Sequence, residues 1–373
     1  MIVFNKPYIT GKEQLYIEEA IANGKLSGNG FFTKKCQVFF EKNYGFKKTL
    51  LTTSCTDALE MCAILANIKA GDEVIIPSYT FVSTALAFIR QGAKIIFADS
   101  RKDHPGIDES KIESLITSKT KAIVPVHYAG VACDMDLIMD IANRYDLLVI
   151  EDAAQGIDSY YKGRALGTIG HLSAFSFHET KNIHCGEGGL LGINDERFVN
   201  RAEIIWEKGT NRSQFFRGEV NKYGWIDTGS SFLPSELNAA FLWAQLEGLN
   251  AIQKRRLEIW EQYDKELKDL PLINKRVLPE FATKNGHMYY LLCNSLEERT
   301  KLITFLKENN IHAVFHYLSL HDSDYYKNEK IEKRILEESD RYTNTLVRLP
   351  LYAGLSNDDI DKIIKTIKLF FNS

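Results

Sequence analysis

The chain has 373 residues, of which 45% are hydrophobic and 25% are charged, and its formal net charge is −3. This length and composition are typical of a soluble globular protein with two domains, or with one large domain and an appendage. They exclude a membrane-spanning protein, because the longest apolar runs fall far short of about 18 residues, and they indicate no general attraction to nucleic acid.

The N-terminal segment and the cysteines both favour a cytoplasmic location. The segment MIVFNKPYITGKE lacks the continuous apolar stretch that a secretory signal requires. The six cysteines are scattered without any CxxC spacing, which favours free thiols over a disulfide framework or a zinc site. We therefore expect a cytoplasmic protein that binds no metal.

Strand and helix patterns alternate from about residue 50 to residue 195, which predicts an α/β fold with a largely parallel or mixed sheet. Apolar runs predict strands near 49–53, 73–77, 94–98, 121–126, 147–151, 172–177 and 188–193. The segments between them predict helices near 56–67, 80–91, 109–117 and 134–145. We assign residues 1–248 to this large domain.

The C-terminal part begins with a long helical run. Ser235 is the predicted N-cap of ELNAAFLWAQLEGLNAIQKRRLEIWEQYDKEL, which is interrupted only by Gly248. The pattern then predicts a strand at 288–293, a helix at 296–309, a strand at 311–315 and a final amphipathic helix at about 356–370. We expect residues 249–373 to form a small α+β domain.

Two charged residues at the ends of predicted strands indicate a site. Asp152 ends the buried run LLVIED, and Lys181 follows the run AFSFHET. Ligands of open α/β sheets bind beyond the carboxyl ends of the strands. An Asp and a Lys there suit pyridoxal phosphate (PLP), because the Asp keeps the pyridine nitrogen protonated and the Lys holds the aldehyde as a Schiff base. The alternative is that Asp152 only caps a helix and Lys181 is a solvated surface residue.

Other strand ends carry candidate cofactor contacts. Cys55 and Thr56 follow a predicted strand and begin a helix, where hydroxyl groups and free backbone amides suit a phosphate. A simple capping motif is the alternative there. Phe81 follows another strand end and could stack on a planar cofactor, or it could be a core residue.

Two motifs that would point to another chemistry are incomplete. HETKNIH at 178–184 lacks the HExxH spacing that places two histidines on one helix face, so it predicts no zinc site. The glycines at 28 and 30 neither follow a strand nor complete GxGxxG, which argues against a dinucleotide-binding dehydrogenase. His127 also ends a strand, and we interpret it as a structural histidine.

Two later segments carry candidate substrate contacts. The loop EKGTNRSQFFRGEVNKYGW at 207–225 mixes aromatic residues with basic ones such as Arg212, and could hold a nucleotide diphosphate. A solvated loop is the alternative. His316 and Tyr317, at the end of a predicted small-domain strand, either line a cleft between the domains or only pack there.

Several motifs occur in a fixed order along nearly the whole chain: SCTDALE, PSYTFVSTA, VPVHYAG, VIEDAAQ, YKGRALGTIG and FSFHETKN followed by GEGG. Together they resemble the DegT/DnrJ/EryC1/StrS family of sugar aminotransferases. The resemblance implies a fold-type I PLP-dependent transferase with a large mixed-sheet α/β domain and a small C-terminal α+β domain. It also implies a homodimer with shared active sites that acts on nucleotide-linked keto sugars.

Carried over position by position, the resemblance makes Lys181 the lysine that binds PLP and Asp152 the partner of its pyridine nitrogen. Gln155 would contact the ring hydroxyl, while Phe81 and Ala154 would cover the two faces of the ring. The remaining implied contacts are to the phosphate, from Cys55, Thr56 and Ser176. Many family members also donate an Asn from the neighbouring subunit to this phosphate, at the position of Ser231 here.

Within the family, FHETKN, GTNRSQFFRG and the GSS of 229–231 are most similar to one branch, which aminates C4 of dTDP-4-keto-6-deoxy-D-glucose. This similarity implies L-glutamate as the donor and dTDP-4-amino-4,6-dideoxy-D-galactose as the product, for surface polysaccharide synthesis. We expect Arg212, His316 and Tyr317 to contact the substrates. The alternatives are a 3-keto sugar substrate, the gluco 4-amino epimer as product or, more distantly, a non-catalytic regulatory protein on the same scaffold.

Overall fold

The computed structural model describes residues 1–272, 277–328 and 335–372. The strands in chain order are β1 (Lys48–Thr52), β2 (Glu73–Pro77), β3 (Lys94–Ala98), β4 (Thr120–Ile123), β5 (Leu148–Asp152), β6 (Tyr160–Tyr161), β7 (Arg164–Ala165), β8 (Leu172–Ser176), β9 (Gly189–Ile193), β10 (Tyr289–Leu292), β11 (Val314–Phe315) and β12 (Leu346–Leu349). The α-helices are α1 (Glu13–Ala22), α2 (Phe31–Tyr44), α3 (Cys55–Leu65), α4 (Val82–Ile89), α5 (Met135–Tyr145), α6 (Val199–Trp206), α7 (Arg212–Phe216), α8 (Glu236–Glu247), α9 (Leu249–Leu267), α10 (Leu296–Glu308), α11 (Asp324–Asn328), α12 (Glu337–Thr345) and α13 (Asn357–Asn372).

A seven-stranded sheet in the order β1-β9-β8-β5-β4-β2-β3 forms the centre of the larger part of the molecule. Strand β9 runs antiparallel to both of its neighbours, β1 and β8, whereas all pairs from β8 to β3 are parallel. The sheet is therefore mixed, as predicted. The carboxyl ends of its parallel strands lie along one edge, where ligands bind in such sheets.

Helices cover both faces of this sheet. Val74 and Ile76 pack with residues of α3, α4 and α6, whereas Ile75 between them packs with residues of α5. On the side of β1, β8 and β9, the helices α2 and α8 complete the second layer. Because both faces are buried, the central strands are continuous apolar runs rather than alternating ones.

The smaller part contains a three-stranded antiparallel sheet in the order β10-β12-β11. One face of this sheet packs on α9, α10 and α13. Helix α9 joins the two parts, because Leu249 and Ile252 belong to the core of the large part and Ile259 belongs to the core of the small one. The predicted domain boundary after residue 248 coincides with the start of this shared helix and stays a prediction.

Some predicted elements differ from the observed ones. The helix predicted at 109–117 is wrong, because the chain forms two short 3₁₀ turns, Glu109–Lys111 and Glu113–Leu115. Side chains compete with the helix there: Asp108 accepts a hydrogen bond from the Ser110 backbone, and the Ser114 hydroxyl donates to a backbone carbonyl.

Two predicted strands are shorter than expected. The strand predicted at 121–126 ends at Ile123, since Pro125 cannot donate a ladder hydrogen bond. The strand predicted at 311–315 contracts to Val314–Phe315, because Ile311 forms a bridge with Ile2 instead. No helix among the described residues is long and apolar enough to cross a membrane.

Candidate active site

A cavity of about 580 Å³ lies between the carboxyl edge of the large sheet and the smaller part of the molecule. It brings together residues that are far apart in the sequence. The predicted site residues that line it are Cys55, Thr56, Phe81, Asp152, Ala154, Gln155, Ser176, Lys181, His316 and Tyr317. The two remaining predicted residues, Arg212 and Ser231, are not among its lining residues.

Asp152 ends strand β5 and faces the cavity. Its Oδ2 accepts a hydrogen bond of 2.8 Å from the Thr84 hydroxyl, and its Oδ1 accepts one of 3.1 Å from the Ala154 backbone N–H. Burial raises the pKa of Asp152, although these two hydrogen bonds and the positive charge of Lys181 oppose that effect. Among the described residues no cation forms an ion pair with Asp152. A protonated nitrogen of a ligand in the cavity would provide this buried carboxylate with a positively charged partner.

The neighbouring carboxylate, Glu151, has a different role. It forms a buried pair with His127, whose Nε2 lies 2.9 Å from Oε2. Its oxygens also accept three hydrogen bonds from one turn of backbone, from the N–H groups of Gly167, Ile169 and Gly170. Glu151 therefore anchors the 167–170 turn to the sheet, and the interpretation of His127 as a structural histidine is confirmed.

Lys181 lies on a turn after strand β8 and reaches into the same cavity. Burial lowers the pKa of its amine, while Cys55 and Asp152 partly oppose this effect. The next residue, Asn182, fixes the turn, because its Nδ2 donates to Gln253 Oε1 at 2.8 Å and its Oδ1 lies 2.8 Å from His287 Nδ1. A buried amine with a lowered pKa on a fixed turn is suited to covalent bonding and to proton transfer.

The N-terminus of α3 provides a site for an anion. Ser54 caps the helix by accepting a hydrogen bond of 3.1 Å from the Asp57 N–H, so the capping interpretation is confirmed. The cap leaves the backbone N–H groups of Cys55 and Thr56 without an acceptor among the described residues. The Thr56 hydroxyl lies 2.8 Å from the Ser83 hydroxyl at the cavity wall. Free amides, hydroxyls and the helix dipole together suit a phosphate.

A close approach of strand β9 holds this helix terminus in place. A Cβ atom added to Gly189 would lie 2.3 Å from the carbonyl carbon of Ser54, so only glycine allows the contact. The last glycine of the GEGG motif, Gly189, is therefore required for packing.

Other predicted residues form the walls of the cavity. Gln155 Oε1 accepts a hydrogen bond of 2.6 Å from the Ala129 N–H, and its Nε2 donates to the Tyr317 hydroxyl at 3.3 Å. His316 Nδ1 lies 2.9 Å from the Tyr128 hydroxyl. Phe81 lines the cavity and is 55% exposed, so it is accessible to a planar ligand.

Arg212 and Ser231 lie on a surface segment, residues 207–231, outside the cavity. Arg212 begins α7, and its guanidinium lies 5.2 Å from the centre of the Phe216 ring. Ser231 forms an isolated backbone bridge with Glu207, and both Arg212 and Ser231 are exposed. Within one chain, the structure does not bring these two residues to the other predicted site residues.

Several residues that line the cavity were not predicted, among them Thr84, Arg348 and His287. Thr84 holds Asp152, and its signal in the sequence is a hydroxyl in the first turn of a helix that follows a strand end. Arg348 lines the cavity from β12, where a charged residue in the apolar run LVRLPLY was the available signal. His287 also lines the cavity, and no spacing in the sequence distinguishes it.

The chain is similar to known proteins over most of its length. The model of the DegT/DnrJ/EryC1/StrS aminotransferase family matches residues 7–368. The spore coat polysaccharide biosynthesis protein SpsC of Bacillus subtilis is 33% identical over 369 residues, which cover 96% of this chain and 95% of SpsC.

Solved structures are similar over the whole chain. A putative sugar aminotransferase, Spr1654 from Streptococcus pneumoniae in its PMP form, superimposes with a TM-score of 0.92 at 26% identity and covers 100% of this chain and 99% of its own. The same protein has also been solved in a PLP form, with a TM-score of 0.90. The aminotransferase TlmJ from Streptoalloteichus hindustanus has a TM-score of 0.92 at 25% identity, covering 100% of this chain and 99% of TlmJ.

The cavity fits PLP at three points. The cavity offers a buried carboxylate that forms no ion pair within the described part of the chain for the pyridine nitrogen, a buried amine for the aldehyde, and a helix terminus with free amides for the phosphate. Taken with the family match over residues 7–368, these features lead to one conclusion. The chain belongs to the DegT/DnrJ/EryC1/StrS aminotransferase family and is a PLP-dependent aminotransferase of fold type I.

Proposed function

We propose that this enzyme transfers the amino group of L-glutamate to C4 of dTDP-4-keto-6-deoxy-D-glucose, giving dTDP-4-amino-4,6-dideoxy-D-galactose for surface polysaccharide synthesis. The observation that carries the proposal is the meeting of Asp152 and Lys181 in one cavity. Solved relatives named as sugar aminotransferases support a sugar substrate, and the polysaccharide role named for SpsC supports the pathway class. Similarity of FHETKN and GTNRSQFFRG to one branch of the family supports the dTDP sugar.

When bound in the proposed site, PLP would supply electron withdrawal from the carbon that gains or loses a proton. Asp152 keeps the pyridine nitrogen protonated, and Thr84 holds the carboxylate in the orientation that this requires. Lys181 carries the proton in both halves of the reaction, first from the donor α-carbon and later to the sugar carbon. Because burial lowers the pKa of its amine, a larger fraction of Lys181 is neutral and able to accept that proton.

The other cavity residues position the cofactor in this proposal. The helix terminus at Cys55 and Thr56 binds the phosphate together with Ser176. Phe81 and Ala154 cover the two faces of the ring, and Gln155 contacts its hydroxyl. His316 and Tyr317 line the side of the cavity toward the small part, where the substrates enter.

We also propose a homodimer in which the 207–231 segment completes the site of the other copy. This segment exposes large aromatic side chains, with Phe216 70% exposed and Trp225 82% exposed, and contiguous exposed apolar groups mark interaction surfaces. Ser231 of the partner subunit would then contact the cofactor phosphate. Arg212 of the partner subunit would hold the nucleotide diphosphate, which suits a planar guanidinium.

In this proposal the configuration of the product at C4 depends on Lys181, because this residue delivers the proton to the sugar carbon. Lys181 delivers the proton from one side of the cofactor, so the epimer formed depends on which sugar face is turned toward it. We propose that Arg212 sets the orientation of the sugar, because it binds the diphosphate at a distance from the reacting carbon. Free cysteines throughout the chain support a cytoplasmic location, where nucleotide sugars are available.

The test is the product formed from dTDP-4-keto-6-deoxy-D-glucose and L-glutamate by the purified enzyme. We expect a 4-amino sugar nucleotide whose NMR couplings show an axial amine at C4. A 3-amino product or an equatorial 4-amino product would contradict the proposed substrate position or epimer. Absence of any cofactor absorbance and turnover would instead favour a regulatory protein on this scaffold.

A further inference from the structure

His287 lines the cavity, but none of the assignments above gives it a role. It lies shortly before β10, and its backbone N–H donates to Asn285 Oδ1 at 3.0 Å. The Nδ2 group of Asn285 donates in turn to the carbonyl oxygens of Gln155 and Ile157, at 2.8 Å each. The segment before β10 is thereby fixed to the loop that follows Asp152, and the buried ring of His287 is held at the cavity wall.

Asn182 fixes the direction of the hydrogen bond at Nδ1 of His287. The Nδ2 group of Asn182 uses both of its hydrogens, since it donates to Gln253 Oε1 at 2.8 Å and to the Asn285 carbonyl at 2.9 Å. Gln253 is oriented in the same way, because its Nε2 donates to the Asp158 carboxylate at 3.4 Å. A backbone carbonyl only accepts, so Asn182 turns its Oδ1 toward His287. Nδ1 of His287 lies 2.8 Å from this oxygen and therefore carries the proton.

The other ring nitrogen of His287, Nε2, is an acceptor. Burial lowers the pKa of His287 well below its ordinary value, and the positive charge of Lys181 makes the next largest contribution in the same direction. The ring is therefore neutral, and a neutral ring that is protonated at Nδ1 carries a lone pair on Nε2. Within residues 1–272, 277–328 and 335–372, no group donates a hydrogen bond to Nε2. A donor that reaches it from the cavity would satisfy this acceptor.

The amine of Lys181 has the complementary requirement. It lies at the same cavity, and the next residue of the chain, Asn182, bonds to His287. No residue that the structure describes accepts a hydrogen bond from the Lys181 Nζ, and a buried donor without an acceptor is costly. An unpaired donor and an unpaired acceptor thus face one cavity, on two residues that Asn182 connects.

We infer that His287 is a positioning residue for Lys181: its Nε2 accepts a hydrogen bond from the Lys181 amine when that amine is not bonded to the cofactor. The inference rests on the proposed function, in which Lys181 carries the proton. One N–H bonded to His287 limits the rotation of the long side chain, while the lone pair of the amine stays free to accept the proton of the substrate. A carboxylate in this place would hold the amine in its charged form, whereas a neutral imidazole favours that form less.

A hydroxyl group of the sugar is the other donor that could reach Nε2, but two observations favour Lys181. Its charge has the largest electrostatic effect on His287, which requires the two side chains to be close. Asn182 also holds both the turn of Lys181 and the ring of His287, so the two groups stay together in both half-reactions. A sugar hydroxyl is present only in the second.

Substitutions of His287 separate the roles of its two nitrogens. His287→Asn keeps an amide donor near the position of Nδ1, facing Asn182, but has no acceptor at the position of Nε2. His287→Gln reaches the position of Nε2 with its amide and loses the contact with Asn182. The matched control is His312→Asn, because His312 is exposed and is not among the residues that line the cavity.

The first measurement is independent of turnover. It uses the full-length enzyme loaded with pyridoxamine phosphate, which forms no bond to Lys181. NMR of the imidazole nitrogens reports which nitrogen of His287 carries the proton, and loss of the signals in a His287 variant assigns them. We expect a protonated Nδ1 and an unprotonated Nε2. Lys181→Met, which has no donor, should move the Nε2 signal and leave the Nδ1 signal unchanged.

The second measurement is the donor half-reaction, followed as the change in cofactor absorbance with L-glutamate. His287→Asn should lower its maximal rate by roughly 20-fold, as for loss of a hydrogen bond to the ammonium group that forms when Lys181 takes the proton. The half-saturating L-glutamate concentration should stay within about twofold of the wild type, because no contact with the donor is removed. His287→Gln should lose less of the rate, and His312→Asn should match the wild type.

Several outcomes would overturn the inference. One is an Nε2 that carries the proton, and another is an Nε2 signal that Lys181→Met leaves unchanged. A signal that responds to dTDP-D-glucose but not to Lys181→Met would assign the acceptor to a sugar hydroxyl. A rate that His287→Gln lowers more than His287→Asn would leave His287 only its structural contact with Asn182.

The NMR comparison also decides where the kinetic one fails. If His287→Asn does not fold, His287→Gln assigns the signals, and the response of Nε2 to Lys181→Met supports or refutes the inference. An enzyme that does not react with L-glutamate refutes the proposed donor alone, because the NMR samples contain no donor.

Discussion

The cavity and the 207–231 segment differ in whether one chain brings the predicted site residues together. Those of the cavity lie close to one another, whereas those of the segment lie apart from them at the surface. Contacts within the same chain hold the cavity residues: Thr84 bonds to Asp152, and Asn182 fixes the turn that carries Lys181. The 207–231 segment instead presents Arg212 and Ser231 at the surface beside exposed Phe216 and Trp225. The parallel strands position groups along their carboxyl edge within one chain, whereas exposed apolar side chains mark a surface that contacts another molecule.

Removal of the Lys181 amine from the cavity should have the largest effect on activity of the changes considered. Lys181→Ala should reduce product formation below detection, because the same amine is proposed to bind the cofactor and to carry the proton in both half-reactions. Product formation is measured by chromatography of the sugar nucleotides. Lys284→Ala, which removes a surface amine near Glu261, is the matched control and should keep wild-type activity.

Asp152→Asn should lower kcat by roughly 100-fold or more while changing the PLP Kd much less. An amide cannot hold the pyridine nitrogen protonated as a carboxylate does, although it retains the shape and the hydrogen bond from Thr84. Steady-state kinetics and a PLP titration of the apoprotein measure the two quantities. Wild-type turnover by this variant would mean that Asp152 is structural.

The adjacent carboxylate should show the opposite behaviour. Glu151→Gln should lower the free energy of unfolding by about 3 kcal/mol, because an amide NH₂ would face the donors that Glu151 now accepts from. Urea unfolding measures this loss. A variant as stable as the wild type would remove Glu151 from the structural role assigned to it.

The pH dependence of stability provides a second check on Glu151. Burial favours a higher pKa, but the hydrogen bonds from His127, Gly170 and Gly167 outweigh it and lower the pKa of Glu151. A lowered pKa contributes stability above the ordinary value of 4.5, and this contribution is lost as the pH falls through the folded-state pKa. The stability difference between wild type and Glu151→Gln should therefore shrink below about pH 4.5.

Arg212→Ala should affect only the half-reaction that uses the sugar. We expect the KM for dTDP-4-keto-6-deoxy-D-glucose to rise roughly 30-fold, from the lost contact with the diphosphate. The half-reaction with L-glutamate, followed by cofactor absorbance, should stay within about twofold of wild type. An equal loss in both half-reactions would indicate a general disturbance of the site.

Mixed dimers test the shared site with the smallest expected change. Lys181→Ala protomers and Arg212→Ala protomers are each impaired, but a mixed dimer would contain one site with both residues intact. Random mixing should restore about a quarter of wild-type activity, since about half of the dimers are mixed and each has one good site. No recovery in dimers shown by mass spectrometry to be mixed would contradict the proposal that Arg212 acts in the site of the partner subunit.

Much of the sheet and of the cavity could be predicted from the sequence, for a physical reason. Strands buried on both faces appear as continuous apolar runs, and a polar residue that ends such a run, as Asp152 does, lies at the ligand edge. The α-helix predicted at 109–117 is absent, because local hydrogen bonds made by Ser110 and Ser114 favour two short 3₁₀ turns that the apolar pattern does not reveal. Arg348 was missed for another reason: its exposure to the cavity depends on how the small sheet packs against the large one.

The central claim is that the cavity at the sheet edge binds PLP through Lys181. Borohydride reduction of the holoenzyme followed by peptide mapping tests this most directly, because reduction makes the bond between cofactor and lysine permanent. We predict that the pyridoxyl group appears on the peptide containing Lys181, and that Lys181→Ala acquires no label. A pyridoxyl group on any other lysine, or equal labelling of the Lys181→Ala variant, would contradict the account.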